Sequence, residues 1–169
     1  NGVKDEKGSY SGTLVGLPAV GAGKVWQSAL FGNGLKLGQS GGRADLGSVQ
    51  FDSNFSLSFW VKPDTVDANA SVLLSKEGIS TMNLIRMEKA DGNGSVRVFL
   101  YPDGSTEKLA LETNGSVLQN QVWTQFCLSY NEGNSTLSLY QDGELLDRNT
   151  SVVFTGTSLP QRFSSMQLG

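Results

Sequence analysis

Histidine is absent from this sequence, and cysteine occurs once, at Cys127. Without an imidazole there is no Ser-His-Asp or Cys-His nucleophile, no histidine-ligated zinc and no histidine switch near neutral pH. A single thiol cannot close an internal disulfide, so cysteine usage leaves the redox compartment unread. Basic clusters are missing too: the 13 Lys and Arg are scattered singly among 16 Asp and Glu, for a net charge of −3. That distribution argues against nucleic acid and against anionic membrane surfaces as partners. The apolar runs are only a few residues long, which excludes a membrane-spanning helix.

What remains is ordinary globular chemistry, with 38% hydrophobic and 17% charged residues. A chain of 169 residues is long enough for one domain with a real core, so residues 1–169 are read as a single domain. It starts at Asn1 without Met, as a processed or excised fragment would. Asn-X-Ser/Thr sequons are dense, at Asn54, Asn69, Asn93, Asn114, Asn134 and Asn149. Their number favours an extracellular protein carrying glycans. The competing explanation is that Asn-Gly-Ser is good turn chemistry, which covers Asn93 and Asn114. Asn54 adjoins a strand, a poor place for a glycan.

Proline is scarce, with four residues against 21 glycines, and the chain reads as short alternating strands separated by Gly, Asn and Asp turns. In residues 55–63, FSLSFWVKP, the alternation sets Phe55, Leu57, Phe59 and Val61 against Ser56, Ser58, Trp60 and Lys62; Pro63 then ends the strand. Residues 95–104 set Val96, Val98 and Leu100 against Arg97, Phe99 and Tyr101. In 123–130, Phe126, Leu128 and Tyr130 oppose Trp123, Gln125, Cys127 and Ser129. Residues 136–146 form a hairpin about Asp142-Gly143. Further strands are expected at 71–76, 80–88, 107–112 and 150–154. No window carries a helical period. The fold class is all-β, an antiparallel β-sandwich whose strand spacing suits a jelly roll.

Five segments in order, GTLVG (12–16), GKVWQSALFGNGLKLG (23–38), FSLSFWVKP (55–63), VWTQFCLSY (122–130) and LSLYQDGELL (137–146), resemble the laminin G-like jelly rolls of the concanavalin A-like superfamily. The segment WTQFCLSY is also similar to the cysteine-bearing strand of pentraxins. In that family the cysteine bonds to one on an earlier strand, and the resemblance places Ser58 where the partner would stand. Cys127 then looks like half of a pair; the alternative is a small apolar side chain packed on one strand face. The resemblance also implies calcium. SSMQLG (164–169) falls where part of the pentraxin calcium site would begin, and the family's closing strand is not matched, so the domain is expected to be clipped at one or both ends.

Calcium suits carboxylates and amide oxygens in loops. The segment KADGNGS (89–95) offers Asp91 and Asn93, and Asp45 and Asp5 are weaker candidates near early loops. A plain hairpin turn, in which Asp and Asn serve for their tolerance of positive φ, is the more ordinary reading of Asp91 and Asn93. The carboxylate strand of the glycosidases on this fold, Glu-x-Asp-x-x-Glu, does not occur, which argues against an enzyme. Ligand contact is expected from outward aromatic residues: Trp60, Phe99, Tyr101, Trp123 and Tyr140. Alternation alone does not say which face is buried, and residues such as Trp60 and Trp123 are more often core than contact.

Three functions follow from these readings. The first is a non-catalytic recognition or adhesion module of a secreted or cell-surface protein, such as a receptor ectodomain, with a protein or glycan ligand and neighbouring domains of a larger parent chain. The second is a carbohydrate-binding module of a microbial secreted enzyme or adhesin. The third is a structural spacer.

Overall fold

The computed structural model describes residues 2–4, 11–15, 19–22, 25–26, 29–30, 33–36, 43–46, 53–67, 71–77, 83–90, 94–101, 106–154 and 166–168. The strands are β1 (Gly2–Lys4), β2 (Ser11–Val15), β3 (Ala19–Ala22), β4 (Val25–Trp26), β5 (Ala29–Leu30), β6 (Asn33–Lys36), β7 (Arg43–Asp45) and β8 (Asn54–Val61). They continue with β9 (Ser71–Glu77), β10 (Asn83–Lys89), β11 (Val96–Leu100), β12 (Lys108–Glu112), β13 (Thr124–Asn131), β14 (Thr136–Gln141), β15 (Glu144–Asn149) and β16 (Met166–Leu168). An eight-stranded sheet runs β1-β2-β7-β16-β9-β10-β11-β12, and a four-stranded sheet runs β15-β14-β13-β8; all pairings are antiparallel. The pairs β3–β6 and β4–β5 stand apart from both. The fold is a β-sandwich jelly roll, and no helix among the described residues is long and apolar enough to cross a membrane.

Alternation builds the core. Phe55, Phe126, Leu128, Tyr130, Leu137 and Leu139 from the small sheet pack in one cluster with Leu74, Ile85, Met87, Val96, Val98, Leu100 and Leu111 from the large one. Strand β11 buries Val96, Val98 and Leu100 and leaves Arg97 and Phe99 half-buried, and β13 buries every second residue from Thr124 to Tyr130. Rings pack in two groups on the inner side of the small sheet: Phe59 lies 6.1 Å from Phe126, while Phe55 lies 5.6 Å from Tyr130 and Phe154 stands edge-on to Tyr130 at 5.1 Å. Among the described residues, Lys89 is the buried charge. Its ammonium donates to the Asp67 carbonyl at 2.9 Å and sits 3.4 Å from the Asp67 carboxylate, which ties β10 to the 64–67 loop.

The Asp142-Gly143 turn has φ of 49° and 91°, the left-handed pair that a two-residue hairpin needs. Asp142 also locks this turn to β13: its carboxylate accepts from the Gln125 amide at 3.0 Å, and its own amide donates to the Gln125 carbonyl at 3.0 Å. One expected strand does not form. Residues 151–154 run without pairing, because Asn149 takes the Ser151 amide in an Asx turn at 2.9 Å and turns the chain out of the sheet. Val152 then drops into the core, its amide bonded to the Ser135 carbonyl at 2.9 Å.

Along one side the sheets are stitched edge to edge. Asp147 on β15 accepts from the Glu112 amide at 3.0 Å, and the Asn149 amide donates to the Ala110 carbonyl at 3.1 Å. Side chains thus occupy edge groups of β12 that would otherwise invite pairing with another chain.

Candidate functional site

The outward face of the four-stranded sheet is a grid of small polar side chains, fixed by the strand registers. One row runs Ser56, Ser129, Ser138 and Arg148 across β8, β13, β14 and β15. The row on one side is Asn54, Asn131 and Thr136; the row on the other is Ser58, Cys127, Tyr140 and Leu145. Beyond that comes Trp60 opposite Gln125. Serines are short, so a row of three between bulkier rows leaves a trough. A groove of about 540 Å³ lies there, floored by Ser129 and Ser138, flanked by Tyr140 on one side and by Asn131, Asn134 and Thr136 on the other. Arg148 and Thr150 close its β15 side. The size falls within the range of small-ligand sites.

Hydrogen bonds hold the grid in place. Ser56 donates to Ser129 at 3.1 Å, and the Gln125 amide donates to Ser58 at 3.0 Å. Arg148 donates from Nε to Ser138 Oγ at 3.2 Å, which orients the guanidinium plane over the serine row. Asn54 accepts from the Glu132 amide at 3.0 Å and anchors the turn that carries Asn134. Arg148 reaches this face because of a bulge. Leu139 pairs with Asp147 and Tyr140 with Leu145, so Leu146 is the extra residue and the alternation of β15 reverses there. Strict alternation from Leu145 would have sent Arg148 inward.

The opposite outward face, on the eight-stranded sheet, is satisfied by its own charges. Arg86 stacks 4.6 Å over the Phe99 ring and holds Glu107 at 2.7 Å. Its Nε lies 3.1 Å from Glu88, although off the line of a hydrogen bond. Tyr101 donates to Glu107 at 2.7 Å, and Arg97 pairs with Glu112 at 2.8 Å. Burial first, then the hydrogen bond to Glu107, raise the Tyr101 pKa above the usual tyrosine value.

The aromatic residues expected from sequence are therefore dispersed. Tyr140 lines the groove; Trp60 is 37% exposed on the same face, four residues along β8 from Ser56, about 13 Å away at the strand rise. Phe99 and Tyr101 belong to the charged network of the other sheet. Trp123 is half-buried ahead of β13. Sequence reading missed Arg148, Ser129, Ser138, Asn131, Thr136 and Thr150. Cys127 is half-buried on the outward face, directly opposite Ser58.

Of the calcium candidates, Asp5, Asp91 and Asn93 lie outside the described residues. Asp45 sits in β7 with its carboxylate 3.1 Å from Arg43 Nε, so it already has a cation. Among the described residues no group of three acidic or thiol side chains is placed to hold a metal. Of the sequons, Asn69 and Asn93 are outside the described residues. Asn114 and Asn134 are exposed, whereas Asn149 has both amide atoms engaged, with Ala110 and Ser151.

Solved structures with this fold include a native heptameric SAP-like pentraxin from Limulus polyphemus, 12% identical with a TM-score of 0.56, covering 75% of this chain and 57% of that one. A Ruminococcus gnavus sialidase CBM40 bound to α2,3-sialyllactose is 17% identical with a TM-score of 0.54, covering 73% and 74%. The binding domain of botulinum neurotoxin DC in complex with rat synaptotagmin II is 15% identical with a TM-score of 0.65, covering 94% of this chain but 38% of that domain. This chain thus spans little more than half of the pentraxin's length. No curated protein sequence matches. The family model Laminin_G_3, of the concanavalin A-like lectin/glucanases superfamily, matches residues 38–169. With most of its length accounted for by that match, the chain belongs to this laminin G-type family of the concanavalin A-like lectin/glucanases superfamily.

Proposed function

We propose that the protein is a non-catalytic recognition module that binds a saccharide in the groove across β13, β14 and β15. The observation that carries this reading is the lining: hydroxyls and amides on strands, one aromatic ring at Tyr140, and no large aliphatic side chain. Sugars present many hydroxyls and one flat apolar face, and such a surface answers both. Glycoside hydrolysis needs a pair of carboxyl groups, and none lines this groove. Support from relatives is at the level of kind: one structural neighbour is a carbohydrate-binding module holding a sialylated sugar. The setting we infer is outside the cell, on a larger parent protein, supported by the open sequons at Asn114 and Asn134.

A panel of immobilised saccharides, probed with protein made in bacteria and therefore free of glycans, tests the reading. Binding to a defined subset is expected, with Tyr140→Ala lowering affinity about tenfold, the worth of an aromatic contact. Binding that survives Tyr140→Ala undiminished would move the site off this groove.

A further inference from the structure

The geometry points to an acidic saccharide as the occupant of the groove, with its carboxylate or sulfate held by the Arg148 guanidinium. This rests on the saccharide reading above and names the class of sugar.

The ion pairing of the arginines carries the argument. Arg43 holds Asp45, Arg86 holds Glu88 and Glu107, and Arg97 holds Glu112. Arg148 alone among the described arginines has no carboxylate partner. Its Nε is committed to Ser138, and its backbone amide to the Asp147 carboxylate at 2.7 Å. A guanidinium carries five N–H donors in a planar fork, so fixing Nε pre-sets the direction of the rest at little further entropic cost. No acidic residue lines the groove to compete for them. In a chain of net charge −3, a lone unpaired cation in a hydroxyl-lined trough is a local reversal of sign.

The surroundings favour a sugar acid over an acidic peptide. A peptide held by main-chain pairing needs a strand edge, and one held by side chains needs apolar pockets. The groove lies on a sheet face, where strand N–H and C=O groups point sideways into the ladder. Its lining supplies Ser129, Asn131, Thr136 and Ser138 for ring hydroxyls, and Tyr140 for a ring face. The protein's overall negative charge disfavours a long polyanion, so a single acidic sugar at a chain end fits best.

The test is calorimetric titration of the full chain, made without glycans, using four probe classes: sialylated, sulfated, uronate-bearing and neutral oligosaccharides of matched core. At least one acidic class is expected to bind about tenfold or more tighter than its neutral counterpart, as a charged hydrogen bond warrants, and to weaken as salt rises. The three acidic arms separate carboxylate from sulfate. Arg148→Gln is expected to abolish that preference, so that the acidic probe binds this variant no more tightly than its neutral counterpart does, and Arg148→Lys to retain part of it, since a point charge replaces the fork. Thermal unfolding of each variant checks folding. Equal binding of acidic and neutral sugars overturns this inference and leaves the saccharide reading intact. So does an acidic preference that Arg148→Gln does not change. Failure of every saccharide overturns both, and tight binding of an acidic control peptide in that case would transfer the groove to a protein ligand.

Discussion

Gly94 sits at φ +67°, and a Cβ there would lie 2.8 Å from the Leu118 carbonyl and 2.9 Å from Val66 Cγ1. The close approach is structural: the Gly94 carbonyl accepts from Val117 and Leu118 at 3.1 and 3.0 Å, fastening the loop after β12. Gly115 has a similar φ of +83° with nothing near its missing Cβ. Gly115→Ala should therefore cost only the left-handed penalty, about 1 kcal/mol, and Gly94→Ala about 2–3 kcal/mol by chemical denaturation. Equal losses would show that the contact with Leu118 relaxes freely. Tyr130 offers a second residue-level check. Burial first, and then the charge of Glu132, raise its pKa above the usual tyrosine value, and its hydroxyl donates to the Val152 carbonyl at 3.2 Å. Because the folded value is the higher one, the unfolded chain ionises first. This share of stability is complete below about pH 10 and is lost as pH rises through the folded pKa. Tyr130→Phe should cost about 1 kcal/mol at pH 7 and flatten the alkaline decline measured by urea midpoints from pH 8 to 11. An unchanged alkaline slope would assign the decline to other groups, Tyr101 first.

At the scale of elements, the register of β8 against β13 decides what Cys127 is. The pair Cys127–Ser58 is directly opposed, as the resemblance to pentraxins placed it. Opposed antiparallel residues have Cα atoms about 4.5–5.5 Å apart, within the span of a disulfide. Ser58→Cys should oxidise to a bond with Cys127, read as the loss of two hydrogens in intact mass and of both titratable thiols. With a loop of that length the unfolding free energy should rise by as much as about 4 kcal/mol. Two persistent thiols under oxidation would mean that the strands are splayed or shifted there. Alternation in β8, β11 and β13 was legible because each strand presents one face to a single core and the other to solvent. The hairpin was legible because Asp-Gly is the pair that tolerates two left-handed residues. The strand expected at 150–154 was not, because an Asx turn at Asn149 ended the sheet sooner than the apolar residues Val152, Val153 and Phe154 suggested.

For the molecule as a whole, the environments of the described sequons separate them further than the sequence did. Expressed through a glycosylating secretory pathway, the protein should carry a glycan at exposed Asn114 and none at Asn149, whose amide nitrogen is held by Ala110 on the other sheet. Peptide mass mapping reads both, and occupancy at Asn149 would mean that the glycan is attached before β15 docks against β12. A glycan at Asn134 would stand over the groove, so enzymatic removal should strengthen ligand binding. Composition and period alone determined the all-β class, which residues share a strand face and the absence of histidine chemistry, because these depend on residue type and local alternation. They also singled out Tyr140, without its neighbours. The groove itself was decided by tertiary structure. Ser56 lies 73 residues before Ser129 and joins Ser129 and Ser138 in one row only when three strands align, and Arg148 joins them only because the bulge at Leu146 reverses its strand. Register and bulges are set by pairing between strands, so a reading of one strand at a time has no access to them.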